Sequence, residues 1–228
     1  MTRLRTLVVS ASGLVLVATS LHAQDLSRYR DFVLGSTVAA VAETSGAAPA
    51  DVKTIHQRPS VVQELRWRPQ RYGGNAVQTD PVREVAFSFY NDQLFLIVVE
   101  YDRQRTEGLT DTDLIESMTA SYGPPVLTST NRSTGARQAE PNDDVVVAQW
   151  ASAESSLTLL RMTYPASLRL VVTLTAVDAL ARTVSAEAIR LDQKEAPQRE
   201  LDRQKQATET LRLAGEKARV VNKPVFKP

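Results

Sequence analysis

Cysteine is absent from the 228 residues, which excludes disulfides, thiolate metal sites and cysteine nucleophiles. Histidine occurs twice, as His22 and His56, so a histidine-based metal site has no second ligand of its kind once the leader is removed. Glycine (9) and proline (11) are sparse, which removes collagen-like and low-complexity classes. No glycine pattern for cradling a phosphate or a dinucleotide occurs, and Gly73-Gly74 is a bare loop pair. No residue pattern calls for a cofactor. What remains is an ordinary globular composition, 43% hydrophobic and 23% charged, of a length suited to one domain or two small ones.

Long apolar runs are also missing. Arg3 and Arg5 precede an uncharged stretch from Leu7 to Val17, and Leu21-His22-Ala23 ends on a small residue before Gln24, the order of an export signal. Residues 1–23 are therefore expected to be removed, giving a periplasmic or secreted protein without a lipidation cysteine; the alternative is an uncleaved amphipathic anchor. The stretch falls short of the roughly 20 apolar residues of a membrane helix and no later segment does better, so the mature chain is expected to be soluble, without stable membrane insertion. Cleavage would leave 25 basic and 26 acidic residues, a balance that implies neither nucleic acid nor an anionic membrane as partner. The segment 188–228 carries ten Lys/Arg against six Asp/Glu, a basic tail on a modestly acidic body.

Along the chain one module is read twice. In residues 24–105, Gly35-Ser36-Thr37 opens a short helix with Thr37 or Ser36 as cap, and Gly46 and Pro49 end it. Val61 to Pro69 alternates as a half-buried strand, with Val61, Leu65 and Trp67 on one face and Glu64, Arg66 and Arg68 on the other. Residues 69–81 read as a loop. Strands 83–90 and 93–101 pair through Asn91-Asp92, with Phe87 and Phe89 inside, and the doubly apolar Leu94 to Val99 belongs to a central strand. In residues 106–176, Thr110 to Asp113 forms a near capping box for a helix that Gly123-Pro124-Pro125 stops. Val145 to Trp150 then mirrors Val62 to Trp67, and strands 157–164 and 168–176 follow. From Val177 the residues Val177, Ala181, Val184, Ala188 and Leu191 form a narrow helical stripe. Pro197 is expected to divide this C-terminal helical extension, 177–228, leaving the polar remainder exposed or unfolded. The predicted fold class is thus α+β: two helix-plus-antiparallel-sheet modules in tandem, followed by a long C-terminal helical extension.

The run Phe32-Val33-Leu34-Gly35-Ser36-Thr37, the strand segment Phe87 to Leu94, and the second copy from Gly108-Leu109-Thr110 to Tyr122-Gly123-Pro124 resemble the small α/β module of SmpA/OmlA outer-membrane-assembly lipoproteins and of β-lactamase inhibitory proteins. The resemblance covers about 25–176 and implies protein binding rather than catalysis. The chain departs from those families in lacking a lipidation cysteine and disulfides and in carrying the basic tail. Another exported bacterial family of the same modular plan fits the residues equally well.

Candidate chemistry is thin. His56 with Ser60 suggests a base and nucleophile, but the glycine-framed nucleophile elbow is missing and a surface or locally hydrogen-bonded histidine is the simpler reading. Asp92, Asp111, Asp113, Glu140, Asp143 and Asp144 read as caps and solvated turns rather than as a calcium loop or a glycosidase pair. Trp67 and Trp150 at strand ends pack in a core by default, or serve as exposed anchors. Arg66, Arg68 and Arg71 around Trp67, with Arg58 upstream, make an arginine and aromatic cluster of the kind found at interfaces. The binding candidates are therefore Arg58, Arg66, Trp67, Arg68, Arg71 and Trp150. No catalytic or metal-ligating residue is assigned. The expected role is a non-catalytic interaction or scaffold protein of the cell envelope, its partner another envelope protein; the alternative is a cofactor-free hydrolase using carboxylates.

Overall fold

The computed structural model describes residues 25–69, 80–128, 144–163, 166–225 and 227. A short hairpin of β1 (Arg28–Tyr29) and β2 (Phe32–Val33) leads into α1 (Val38–Ser45), a 3-10 turn at Pro49–Asp51, and strands β3 (Lys53–His56), β4 (Val62–Trp67), β5 (Val82–Tyr90) and β6 (Gln93–Tyr101). A one-turn α2 (Arg103–Thr106) precedes α3 (Asp111–Tyr122) and strands β7 (Leu127–Thr128), β8 (Val145–Ala151), β9 (Ser155–Met162) and β10 (Ser167–Leu174). The last element is α4 (Thr175–Asn222).

Both module helices start from the same local chemistry. Gly35 and Gly108 adopt φ of 91° and 82°, a region open to glycine without a Cβ clash. Two residues on, a threonine caps the helix: Thr37 Oγ1 accepts from the Ala40 amide at 3.3 Å, and Thr110 Oγ1 from the Asp113 amide at 3.2 Å. The Asp113 carboxylate accepts in return from the Thr110 amide at 2.8 Å, closing the capping box. The β5–β6 hairpin turns on Asn91 and Asp92 with φ of 47° and 67°, as their residue types suggested. Asp92 Oδ1 then accepts from the first amide of α1, that of Val38, at 2.9 Å, fixing the helix to the hairpin.

The two modules share one eight-stranded sheet in the order β3-β4-β5-β6-β10-β9-β8-β7, antiparallel throughout. Their final strands meet at the centre, with Val98 opposite Val171, so the halves are related by a pseudo-two-fold axis at that pair. Two rows of side chains make the relation visible. One runs Trp67, Val85, Val99, Leu170, Leu159, Ala148 and the other Trp150, Leu157, Val172, Ile97, Phe87, Leu65. Nearly all of these are fully buried in one cluster, against which α1 packs Val41 and Ala42, and α3 packs Leu114, Ile115 and Met118. Each large apolar side chain so buried contributes about 1.5–3 kcal/mol. Phe87 and Phe89 are both inside, at 0% exposure.

Two sequence expectations are corrected. β4 begins at Val62, which is buried, whereas Val61 lies outside the strand and is exposed; its amide is held by Asn91 Oδ1 at 3.1 Å. And α4 is not broken at Pro197 but runs through it. The flanking residues are strong helix formers, Arg199 Nη2 reaches back across the proline to the carbonyl and the carboxylate of Asp192, both at 2.9 Å, and further pairs such as Arg203–Glu200 and Arg212–Glu216 line the exposed turns. The docking stripe is where the helical period put it. Ala181 and Ala188 are buried, and Val177, Val184 and Leu191 half-buried, where α4 meets β6 and β10. From Ala196 to Val225 every residue is exposed.

Candidate interaction surface

Because side chains alternate along a strand, the residues between the core rows point to the opposite face of the sheet, away from α1 and α3. There a trough of about 240 Å³ lies across β4, β5, β6 and β10. Its floor is apolar, built from Ala86, Leu96 and Val98, and its walls are charged. Glu84 and Glu100 stand directly opposite each other in the β5–β6 register, a placement that is destabilising for like charges unless cations intervene. They do. Glu84, 8% exposed, accepts from Arg66 Nη1 at 3.1 Å and from Arg68 Nε at 2.6 Å, while Arg66 Nε also donates to Glu64 at 2.7 Å. Glu100 accepts from Arg169 Nη2 at 3.1 Å and from Arg83.

Burial alone would raise the Glu100 carboxyl, but the hydrogen bonds and charges of Arg83 and Arg169 outweigh it and hold the group below its ordinary range. An ionised, arginine-bound glutamate is a poor general acid at neutral pH, since that role requires a raised pKa. Arg169 Nε is buried with no hydrogen-bond partner among the described residues.

The structure divides the sequence-predicted cluster. Arg66 and Arg68 reach the trough. Trp67, between them in sequence, faces the other way, half-buried and edge-on to Phe32 with ring centroids 5.3 Å apart, its Nε1 buried without a partner among the described residues. Trp150 is 1% exposed and donates from Nε1 to the Gly123 carbonyl at 2.7 Å. The tryptophans therefore serve the core face and do not join the arginines, a consequence of strand alternation. Arg58 lies on the β3–β4 connection and pairs with Glu195 of α4 at 2.8 Å. Arg71 lies outside the described residues. Glu84, Glu100 and Arg169 were missed. A glutamate in an otherwise apolar alternating strand was the available signal, but the pairing that brings the three together is non-local.

The remaining described candidates occupy separate places in the fold. Ser60 Oγ meets Tyr90 Oη at 3.3 Å rather than His56, and His56 borders a polar cavity of about 230 Å³ with Arg58, Asp192 and Arg199. Asp111 pairs with Arg161 at 2.6 Å. Glu140 and Asp143 lie outside the described residues. Among the described residues no group of three or more histidine, aspartate or glutamate side chains is placed to hold a metal ion, and no helix is long and apolar enough to cross a membrane. No protein-family model matches the chain, and neither does any curated protein or solved structure.

Proposed function

We propose that the protein is an exported, non-catalytic interaction protein of the cell envelope. The observation that carries this reading is the distal half of α4. From Ala196 to Asn222 every residue of the helix is exposed, and the segment is about 40 Å long at 1.5 Å per residue. It exposes Leu211, Val220 and Val221 at 73%, 74% and 68%, and isolated helices gain little from propensity alone. A helix held at its base and free along its length is suited to reaching a partner. The open sheet face adds a second surface with an apolar floor and a charged rim, the anatomy of a protein interface. Export is supported by the basic, apolar, small-residue order of 1–23, and the resemblance to SmpA/OmlA-like modules points to binding as well.

A photo-crosslinking residue at Leu211 tests the reading in cells. A discrete adduct is expected from that position and none from a control position at Glu43 on α1, and truncation after Glu195 should remove the adduct while the body keeps its thermal midpoint. Equal labelling from both positions would sink the reading.

A further inference from the structure

The two halves differ at the end of the sheet near each Gly-x-Thr turn. In the first half the turn is zipped to β6: the Gly35 amide donates to the Leu94 carbonyl at 2.7 Å and the Leu94 amide to the Ser36 carbonyl at 2.9 Å. Phe89, opposite Leu94 in register, fills the space beneath, and both are 0% exposed. In the second half, Leu168 takes the place of Leu94, and its register partner is Arg161 instead of a phenylalanine. The Arg161 head group turns outward to Asp111 at 2.6 Å. What the first half fills with an aromatic ring is left open here. A cavity of about 390 Å³ is lined by Gly108, Leu109, Ser167 and Leu168, and an adjoining one of about 260 Å³ shares Thr106, Leu109 and Leu168 and extends to Met118 and Leu159. Leu168, though 3% exposed, lies outside the main core cluster.

The interior of this space is largely apolar, with Leu109, Leu159 and Leu168 in its walls, and the charged residues described at its margins are Arg103, Arg105, Arg161 and Glu107. Arg161 is neutralised by Asp111, but Arg103 has no acidic partner among the described residues and is exposed at the mouth. An apolar slot with an arginine exposed at its mouth selects a ligand with a hydrocarbon body and an anionic end, and the larger cavity, at about 390 Å³, falls in the range of roughly 300–1,000 Å³ typical of small-molecule pockets. We propose that the second half holds a single-chain carboxylate amphiphile, its tail against Leu109, Leu159 and Leu168 and its head at Arg103. A neutral chain of equal length leaves the arginine unused, and a compact anion leaves the aliphatic walls uncovered.

The full chain titrated calorimetrically with dodecanoate below its micellar concentration should bind one equivalent saturably, and dodecanol at least tenfold more weakly. Arg103→Glu, a change at an exposed residue, should weaken dodecanoate binding at least tenfold with the thermal midpoint unchanged. Arg161→Phe, which restores the first half's side chain, should close the cavity and abolish binding. Absence of saturable dodecanoate binding, dodecanol binding as tightly as dodecanoate, or Arg103→Glu binding like the parent would each overturn the proposal. Should Arg161→Phe fail to fold, Arg103→Glu decides.

Discussion

Trp67 and Trp150 occupy the same position in two halves of one sheet and are treated differently. In the second half α3 ends at Gly123, whose carbonyl receives the Trp150 indole N–H, and Tyr122 lies against the ring at 6.5 Å. In the first half the β1–β2 hairpin supplies Phe32, which meets Trp67 edge-on and Phe87 at 4.5 Å, but among the described residues nothing accepts from the Trp67 indole N–H. A repeated backbone fixes which face a residue takes, whereas the element laid over that face decides whether its polar atoms are satisfied. The first half is closed by extra aromatic packing; the second is closed by a hydrogen bond and keeps a cavity.

The largest effect that could break the comparison concerns the shared core. Phe87 and Leu159 are symmetry mates, and Phe87→Ala should cost about 3–5 kcal/mol and Leu159→Ala about 2–5 kcal/mol. Since the halves share one sheet, each variant should lower a single cooperative denaturation transition followed through Trp67 and Trp150 fluorescence. Two separated transitions, with the mutated half alone shifted, would make the halves independent units.

A smaller difference sharpens the contrast between the tryptophans. Trp150→Phe leaves the Gly123 carbonyl without its donor, a loss of about 1–3 kcal/mol beyond any packing change. Trp67→Phe removes an N–H that already lacks a partner, so its cost should be smaller by about 1 kcal/mol or more in urea denaturation. Equal costs would mean that Trp67 has an acceptor in solution.

The smallest effect is electrostatic and belongs to the first half. Arg30 donates to both oxygens of Asp80 at 2.8 Å, and this hydrogen bonding, working against burial, holds Asp80 below its ordinary range. A carboxyl with a folded pKa below its unfolded value of about 3.9 stabilises fully above that value and loses the contribution as pH falls through the folded pKa. Asp80→Asn should therefore flatten the acid limb of a stability-against-pH curve by about 1 kcal/mol or less, the scale of a partly exposed pair, and leave neutral-to-acid behaviour elsewhere unchanged. An unaltered acid limb would show the pair to be idle.

Much of the local architecture was legible in the sequence because its causes are local. Thr37 and Thr110 cap helices, Asn91-Asp92 turns a hairpin, Gly46 and Gly123 stop helices, and the period from Val177 to Leu191 named the docked face of α4. The expected division at Pro197 fails because the ion pairs and helix formers around it offset the one missing donor. The binding candidates were half legible: Arg66 and Arg68 do reach one surface, but reading Trp67 and Trp150 with them ignored that neighbouring strand residues face opposite ways.

Local sequence set the helices after Gly35 and Gly108, the longer strands from 62 to 174 to within a few residues, the docked stripe of α4, and the absence of cysteine chemistry; it left β1, β2, β3, β7 and α2 unread. Only the tertiary structure decided that β6 and β10 join the modules into one sheet, that Glu84 and Glu100 meet under four arginines, and that the second half stays open where the first is filled. Capping and periodicity act over a few residues and leave their mark in the order of the chain. Strand pairing and the filling of space join residues far apart in it, and their energies exist only once those residues are brought together.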